Sequence, residues 1–511
     1  MIRACGACHT RDSTGRMSRL SFLRKTPEGW ETSIRRMVTL NNVQLDPETA
    51  RQVLRYLSNH QGLAPAEVLP GRFEAERRLI EWQYTANDTT NRTCRACHSM
   101  GRAILQRRTG EEWGLLVAMH RGYYPGVDFQ GFRGGGTPPN HPMDQAIAHL
   151  SRAFPLSSPE WTAWSATMRP PRLEGTWHVS GTEPGKGPFF GRVTITRVGD
   201  DEFTTEAVYR YVRTGTEARR TGRSIVYTGH QWRGRSTPAG APPDQAWREV
   251  MHVEPDWQSM TGRWFTGGYD EFGMDVNLRR AGGAAVVAAV HPRAVRSGVS
   301  QELTLYGDNL PAGLASQAVD LGPGVRVEAV TQSTPTAATL RVRVDSGATI
   351  GARDIFVAGT PLRGAIVVYD TVSRLVVAPR AGMARVGGVQ FPKQFAQFEA
   401  VAWHNGPDGR PDTPDDINLG VVPATWSTEE YGVTYDDDDL RFIGSLDPNG
   451  LFTPAVDGPN PARSGQRNNI GDIWVVASWQ PPGSSRSLRA RGLLVVTVPL
   501  YLRWEPWRIA P

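Results

Sequence analysis

The spacing of apolar positions changes character once along the chain. Up to about Trp161 it follows the period of amphipathic helices, and beyond that point it shortens to the alternation of strands. The clearest helix is Leu45–Leu57 (LDPETARQVLRYL). Asp46 supplies a cap, Pro47 fills the first helical position, Glu48 lies in the first turn, and Val53, Leu54 and Leu57 share one face. Further helices are predicted at Trp30–Met37, Glu112–His120 and Met143–Leu150. Together they form a unit written twice: tryptophan helix, loop, closing helix.

After Trp161 the segments Arg172–Val179 and Gly191–Val198 are predicted as strands flanking a loop, Ser180–Phe190. Glu202–Tyr211 and Arg223–Tyr227 continue the series, and strands running to Arg280 suit one antiparallel β-barrel. Ala288–Val376, with Ser300–Leu310 and the alternation Leu340–Val344, has the rhythm of an immunoglobulin-like sandwich. A second sandwich is expected from Ala378, ending in the apolar run Leu493–Leu502. The fold class is therefore multidomain, α followed by all-β: helices over 1–165 (repeats 1–84 and 85–165), a barrel over 166–282, and immunoglobulin-like sandwiches over 283–376 and 377–511.

Composition narrows this little. A net charge of +6 spread over 511 residues, without a dense Lys/Arg run, does not support nucleic-acid binding. The apolar runs Ala281–Val290 and Leu493–Leu502 are too short to span a membrane, and no signal peptide precedes the first cysteine. The cysteines change the picture. All 4 fall in two copies of one pentapeptide, Cys5–His9 (CGACH) and Cys94–His98 (CRACH). A zinc site usually wants about 15–20 residues between its cysteine pairs, and neither a redox CxxC nor a disulfide needs the adjoining histidine. C-type haem attachment needs all three: two thiols add to the vinyls, which holds the imidazole under the iron. Cys5, Cys8 and His9 are read as one covalent haem site and Cys94, Cys97 and His98 as a second. Such a chain must be exported, so a leader is expected to have been removed.

The repeat also chooses sixth ligands. Met37 stands seven residues after Trp30, and His120 seven after Trp113, so the register pairs Met37 with His120 and not with the adjacent Met119. One thioether and one imidazole would make the two haems unequal, since a thioether raises the potential. His60, His141, His149, Met17, Met100 and Met143 are read as surface or core residues, and Trp30 and Trp113 as packing against the haem edge. The carboxylates of Asp408–Asp416 lack the glycine and glutamate of an EF-hand, and Asp436–Asp439 reads as a solvated run. No nucleophile–base cluster or nucleotide loop stands out.

The paired CxxCH units, the phrases EGTWHVSGTEPGKGPFFGRVTITRVGDDEF (Glu174–Phe203) and GRSIVYTGHQWRGRS (Gly222–Ser236), and the two C-terminal sandwiches resemble the alpha subunit of quinohaemoprotein amine dehydrogenase. The resemblance covers essentially the whole chain. It implies a periplasmic heterotrimer that oxidises primary amines to aldehydes and ammonia. A small gamma subunit bears the cysteine tryptophylquinone, and a β-propeller beta subunit completes the assembly. The dihaem alpha subunit, with one His/Met and one bis-His haem, passes electrons to a cupredoxin or a soluble cytochrome c. The quinone needs a cysteine of its own and none here is spare, so the isolated chain is expected to be an electron carrier. Two alternatives are a dihaem peroxidase and a stand-alone dihaem carrier whose β domains bind carbohydrate or protein.

Overall fold

In a computed structural model, residues 5–72, 84–95, 98–124, 126–130, 136–266, 273–432 and 438–499 are described. Four long helices carry the N-terminal region. Helix α1 (Pro27–Leu40) starts where Thr26 accepts from the Gly29 amide with Pro27 next in line, and α2 (Pro47–His60) where Asp46 accepts from Thr49. The shorter α3 (Asp88–Arg95) leads into the second motif. Helix α4 (Gly110–Tyr123) is capped by Thr109, α5 (Pro142–Ala153) by His141, and α6 (Pro159–Thr167) by Ser158.

The repeat is a structural one. Position n of the first unit matches n + 83 of the second (Trp30 to Trp113), so the caps Thr26 and Thr109 are equivalent. Both tryptophans are fully buried. Trp30 Nε1 donates to the Gln61 carbonyl at the end of α2 (3.0 Å), and Trp113 Nε1 to the Phe154 carbonyl at the end of α5 (3.3 Å). Each indole thereby ties its helix to the closing helix.

Just before α1 and α4 lie the short strands β1 (Leu23–Lys25) and β2 (Gln106–Arg108), which pair antiparallel with Arg24 opposite its own equivalent, Arg107. A local twofold axis therefore passes between them. Farther along the helices, Arg36 Nη1 donates to Met119 Sδ at 3.3 Å, again a contact between equivalent positions. One buried carboxylate breaks the symmetry. Glu67 accepts from Arg24 Nη1 (2.7 Å) and Nη2 (2.8 Å), from Ser158 Oγ (2.8 Å) and from the Ala64 amide (2.9 Å), and pairs with Arg107 Nε at 3.1 Å.

The barrel is closed and antiparallel, with eight strands: β3 (Gly175–Glu183), β4 (Gly187–Arg197), β5 (Glu202–Tyr211), β6 (Glu217–Tyr227), β7 (Gln231–Pro238), β8 (Trp247–Val253), β9 (Ser259–Phe265) and β10 (Met274–Arg280), which returns to pair with β3. The expected loop Ser180–Phe190 is corrected here. Strands β3 and β4 stay paired out to Glu183 opposite Gly187, leaving a three-residue turn. Left-handed backbone at Gly185 and Gly187 closes it, and Phe189 is thereby carried into the barrel core. Two four-stranded sheets over 286–369 enclose a Val/Leu core, and a last unit over 374–497 holds three further sheets.

The helices are fixed to the barrel by polar contacts. Glu28 pairs with Arg233, Arg55 Nε donates to Asp201 at 2.8 Å, and Thr228 Oγ1 donates to the Ser58 carbonyl at 2.9 Å. His230 Nε2 lies 2.9 Å from the Leu63 carbonyl. A Cβ at Gly62 would lie 2.2 Å from the Ser58 carbonyl and 2.7 Å from Thr228 Oγ1, so this approach requires glycine.

Candidate haem-binding site

The first motif forms a tight turn, with the Cys8 and His9 amides both donating to the Cys5 carbonyl (3.2 and 2.9 Å). This leaves Cys8 exposed and Cys5 and His9 half-buried. In the second motif Cys94 lies in the last turn of α3 and His98 follows, while Cys97 lies outside the described residues. Cys5, Cys8 and Cys94 are free thiols. Burial pushes the Cys94 thiol up to about 12 and, ahead of the charges of Arg102 and His120, holds His98 down at about 4. A neutral imidazole is the form that binds metal.

Each candidate imidazole is held in the same way. His9 Nδ1 lies 2.9 Å from the Ser18 carbonyl, His98 Nδ1 2.8 Å from that of Ser99, and His120 Nδ1 2.8 Å from that of Leu116 one turn back on α4. A carbonyl only accepts, so Nδ1 carries the hydrogen in all three and the Nε2 lone pair stays available to a metal. The ring centroids of His98 and His120 lie 6.3 Å apart, with the ring planes inclined at 40°. An iron between two imidazoles at metal–nitrogen lengths of about 2.0 Å, with each ring centre about 1.2 Å behind its nitrogen, sets them about 6.4 Å apart. The residues therefore fit a bis-imidazole haem.

Met119 is turned the other way, its sulfur held by Arg36. Met37 is half-buried on α1, and its pairing with His9 rests on the repeat register. The remaining candidates have structural roles. His60 packs on Tyr56, His141 caps α5, His149 Nε2 lies 2.8 Å from the Tyr84 hydroxyl, and Met17, Met100 and Met143 are core residues.

Among the described residues no group of three or more His, Cys, Asp or Glu side chains could hold a metal ion. In the 408–416 loop, Asp412 pairs with Arg380 (2.6 Å), Asp416 pairs with Arg374, and Asp415 accepts from the Asp408 amide (3.2 Å). The run of four aspartates needs a correction. Asp439 is fully buried and paired with Arg463 at 2.6 Å, while Asp436 and Asp437 lie outside the described residues. A run of charge in the sequence does not show that one of its members turns inward to meet a distant arginine.

Sequence reasoning missed the Glu67 cluster and the cations near the axis. Their only signal was the match of Arg24 to Arg107 and of Lys25 to Arg108 in the repeat register. Burial pushes the Glu67 carboxyl up, but Arg24 and Arg107 outweigh it and hold the group below the usual carboxylate value. Burial, then the charges of Arg108 and Arg36, pushes the Lys25 ammonium well down.

Comparison with protein families is consistent along the chain. Residues 1–161 match the haem-binding region of the quinohemoprotein amine dehydrogenase alpha subunit, and 170–281, 284–370 and 375–508 match its domains II, III and IV. The chain belongs to the quinohemoprotein amine dehydrogenase alpha-subunit family. As a member it is a subunit of a multisubunit oxidoreductase and carries a haem-binding domain. No curated protein matches the sequence. Solved structures similar to part of it include a redesigned β-barrel (14% identity, 22% of this chain and 92% of that one, TM-score 0.19). A de novo fluorescence-activating barrel (16%, 21% and 93%, 0.18) and human protocadherin-24 EC1-2 (13%, 42% and 98%, 0.16) are others. Among the described residues no helix is long and apolar enough to cross a membrane.

Proposed function

We propose that this alpha subunit is the electron relay of a periplasmic amine dehydrogenase complex and that it binds two haems c covalently. Haem supplies reversible one-electron chemistry; the chain supplies attachment, axial ligands and surroundings. Cys5 and Cys8 would form the thioethers of the first site, and His9 and Met37 would hold its iron. Cys94 and Cys97 would form those of the second, and His98 and His120 would hold its iron. The carbonyls of Ser18, Ser99 and Leu116 fix each imidazole by its Nδ1 hydrogen and keep Nε2 turned to the metal. The observation that carries this reading is the spacing of the His98 and His120 rings.

Electrons arrive from a cysteine tryptophylquinone in a small gamma subunit, held together with a β-propeller beta subunit, and leave to a cupredoxin or cytochrome c. The β domains of this chain serve as scaffold for the partner subunits. Two measurements test the reading. A pyridine haemochrome assay should count two haems per chain, and His120→Ala should convert one low-spin haem to high-spin while leaving the other intact. A primary amine should reduce the haems in the complex and not in the isolated chain. Two haems untouched by His120→Ala would sink the ligand assignment. Peroxide turnover by the isolated chain would favour a peroxidase instead.

A further inference from the structure

Positive charge gathers beside the local twofold axis. Lys25 and Arg108 are equivalents on the paired strands β1 and β2, 5% and 3% exposed, and Arg36 reaches in from α1. The carboxylate ranged against them, Glu112, already pairs with Arg19 at 2.8 Å and with Arg108 at 3.4 Å. Lys25 Nζ donates to the neutral Ser33 hydroxyl at 2.6 Å and stands over the Trp30 ring, 5.4 Å from its centre. Arg36 donates to the Met119 thioether. Neither cation forms an ion pair among the described residues.

Burying an unpaired cation costs several kcal/mol, and a thioether sulfur is a weak acceptor that does not replace an anion. The position of these cations indicates what would replace it. Arg36 directly precedes Met37, and Met119, which holds it, directly precedes His120. Arg36 therefore stands next to one proposed sixth-ligand position and holds the neighbour of the other, and each haem would bring two propionate carboxylates.

The geometry points to Arg36 and Lys25 as a carboxylate-binding subsite on the twofold axis, one that receives haem propionates. This rests on the two-haem reading above. A guanidinium binds a carboxylate through two parallel hydrogen bonds and an ammonium binds it as a point charge, so both residues supply the charge that sets the potential and Arg36 adds orientation. Neutralising a propionate removes a negative charge that favours ferric iron, which raises the haem potential.

The test uses the haem-loaded chain carrying Arg36→Gln, Lys25→Gln or Arg36→Lys. Haem is counted by pyridine haemochrome, ligation is followed by the low-spin spectra, and midpoint potentials are measured by optical titration between pH 5 and 8. With two low-spin haems retained, Arg36→Gln should shift the reduction equilibrium of at least one haem about tenfold toward ferric, about 59 mV for one electron. Its potential should also become more dependent on pH, because a propionate without its cation titrates nearer neutrality. Lys25→Gln should shift the equilibrium in the same direction, and Arg36→Lys should restore most of the parent value.

Parent-like potentials and pH slopes in Arg36→Gln, with both haems present, would overturn the proposal and leave the two-haem reading standing. Failure of Arg36→Lys to restore the potential would overturn it too, since charge would not then be the cause. Fewer than two haems in the parent chain would bring down both.

Discussion

Glu67 is a buried anion that joins the two repeats, and replacing it by glutamine removes the charge with almost no change in shape. The ion pair it forms with Arg24 leaves the two side chains only 3% and 4% exposed, and Arg107 is buried beside them. Breaking a buried pair from one side leaves an uncompensated charge and costs about 3–5 kcal/mol. Glu48 and Arg51 give the contrast: both are more than half exposed, and such a surface pair is worth about 0–1 kcal/mol. At about 2–4 °C per kcal/mol for a unit of this size, Glu67→Gln should lower the melting of the helical region by about 6–20 °C. Glu48→Gln should move it by only a few degrees. The transition is followed by far-UV circular dichroism at 222 nm, where the helices dominate and the β domains contribute little. The pH dependence adds a sign. The folded Glu67 carboxyl lies below its unfolded value of about 4.3, so its contribution is present above that pH and fades as pH falls through the folded value. The gap between parent and Glu67→Gln should therefore narrow below about pH 4. A loss no larger than that of Glu48→Gln at pH 7, or a gap that stays constant into acid, would refute the reasoning.

Three further outcomes are expected. Gly62→Ala should loosen the helices from the barrel, because the added carbon falls 2.2 Å from the Ser58 carbonyl; limited proteolysis should show faster cleavage than in the parent. Trp113→Ala should cost about 3–5 kcal/mol of stability, since it empties a fully buried site and removes the hydrogen bond to Phe154; thermal unfolding reads it. His252 sits buried against His230 (Nδ1 to Nδ1, 3.3 Å), and burial, ahead of the charges of Arg72 and Arg233, holds it down at about 4. Its folded value lies below the unfolded one of about 6.5, so its contribution of about 3 kcal/mol is complete above pH 6.5 and lost toward pH 4. His252→Gln should flatten the melting temperature over that range.

What the sequence disclosed was local. The Asp46–Pro47 start of α2 and the helix face Val53–Leu54–Leu57 are signals written within a few residues, and each reappears in the structure. The Ser180–Phe190 segment misled because its glycines and proline resemble a loop, whereas the pairing of β3 with β4 decides how long the strands run. Asp439 misled for a similar reason: its partner, Arg463, is 24 residues away. Glu67, Lys25 and Arg36 gave no local signal, because what distinguishes them is burial against the other repeat. The register of the repeat was the one long-range fact legible beforehand. It pairs His120 with Met37, and the structure adds that the His120 ring lies 6.3 Å from that of His98 and that Met119 turns toward α1.

The twofold axis separates two kinds of position. Where the repeats agree, as at Thr26 and Thr109, Trp30 and Trp113, or Arg24 and Arg107, the side chain caps a helix, closes a core or holds the axis. Some positions differ: Arg36 and Met119 directly precede the proposed sixth-ligand positions, and Met37 and His120 occupy them. A twofold holds equivalent positions at equal distances from the axis, so changing residues only at the second kind alters charge and ligand type and leaves spacing unchanged. Transfer between two redox centres needs a fixed distance and a difference in free energy. On the two-haem relay proposed above, a duplicated scaffold with unequal residues at those few positions would supply each independently of the other.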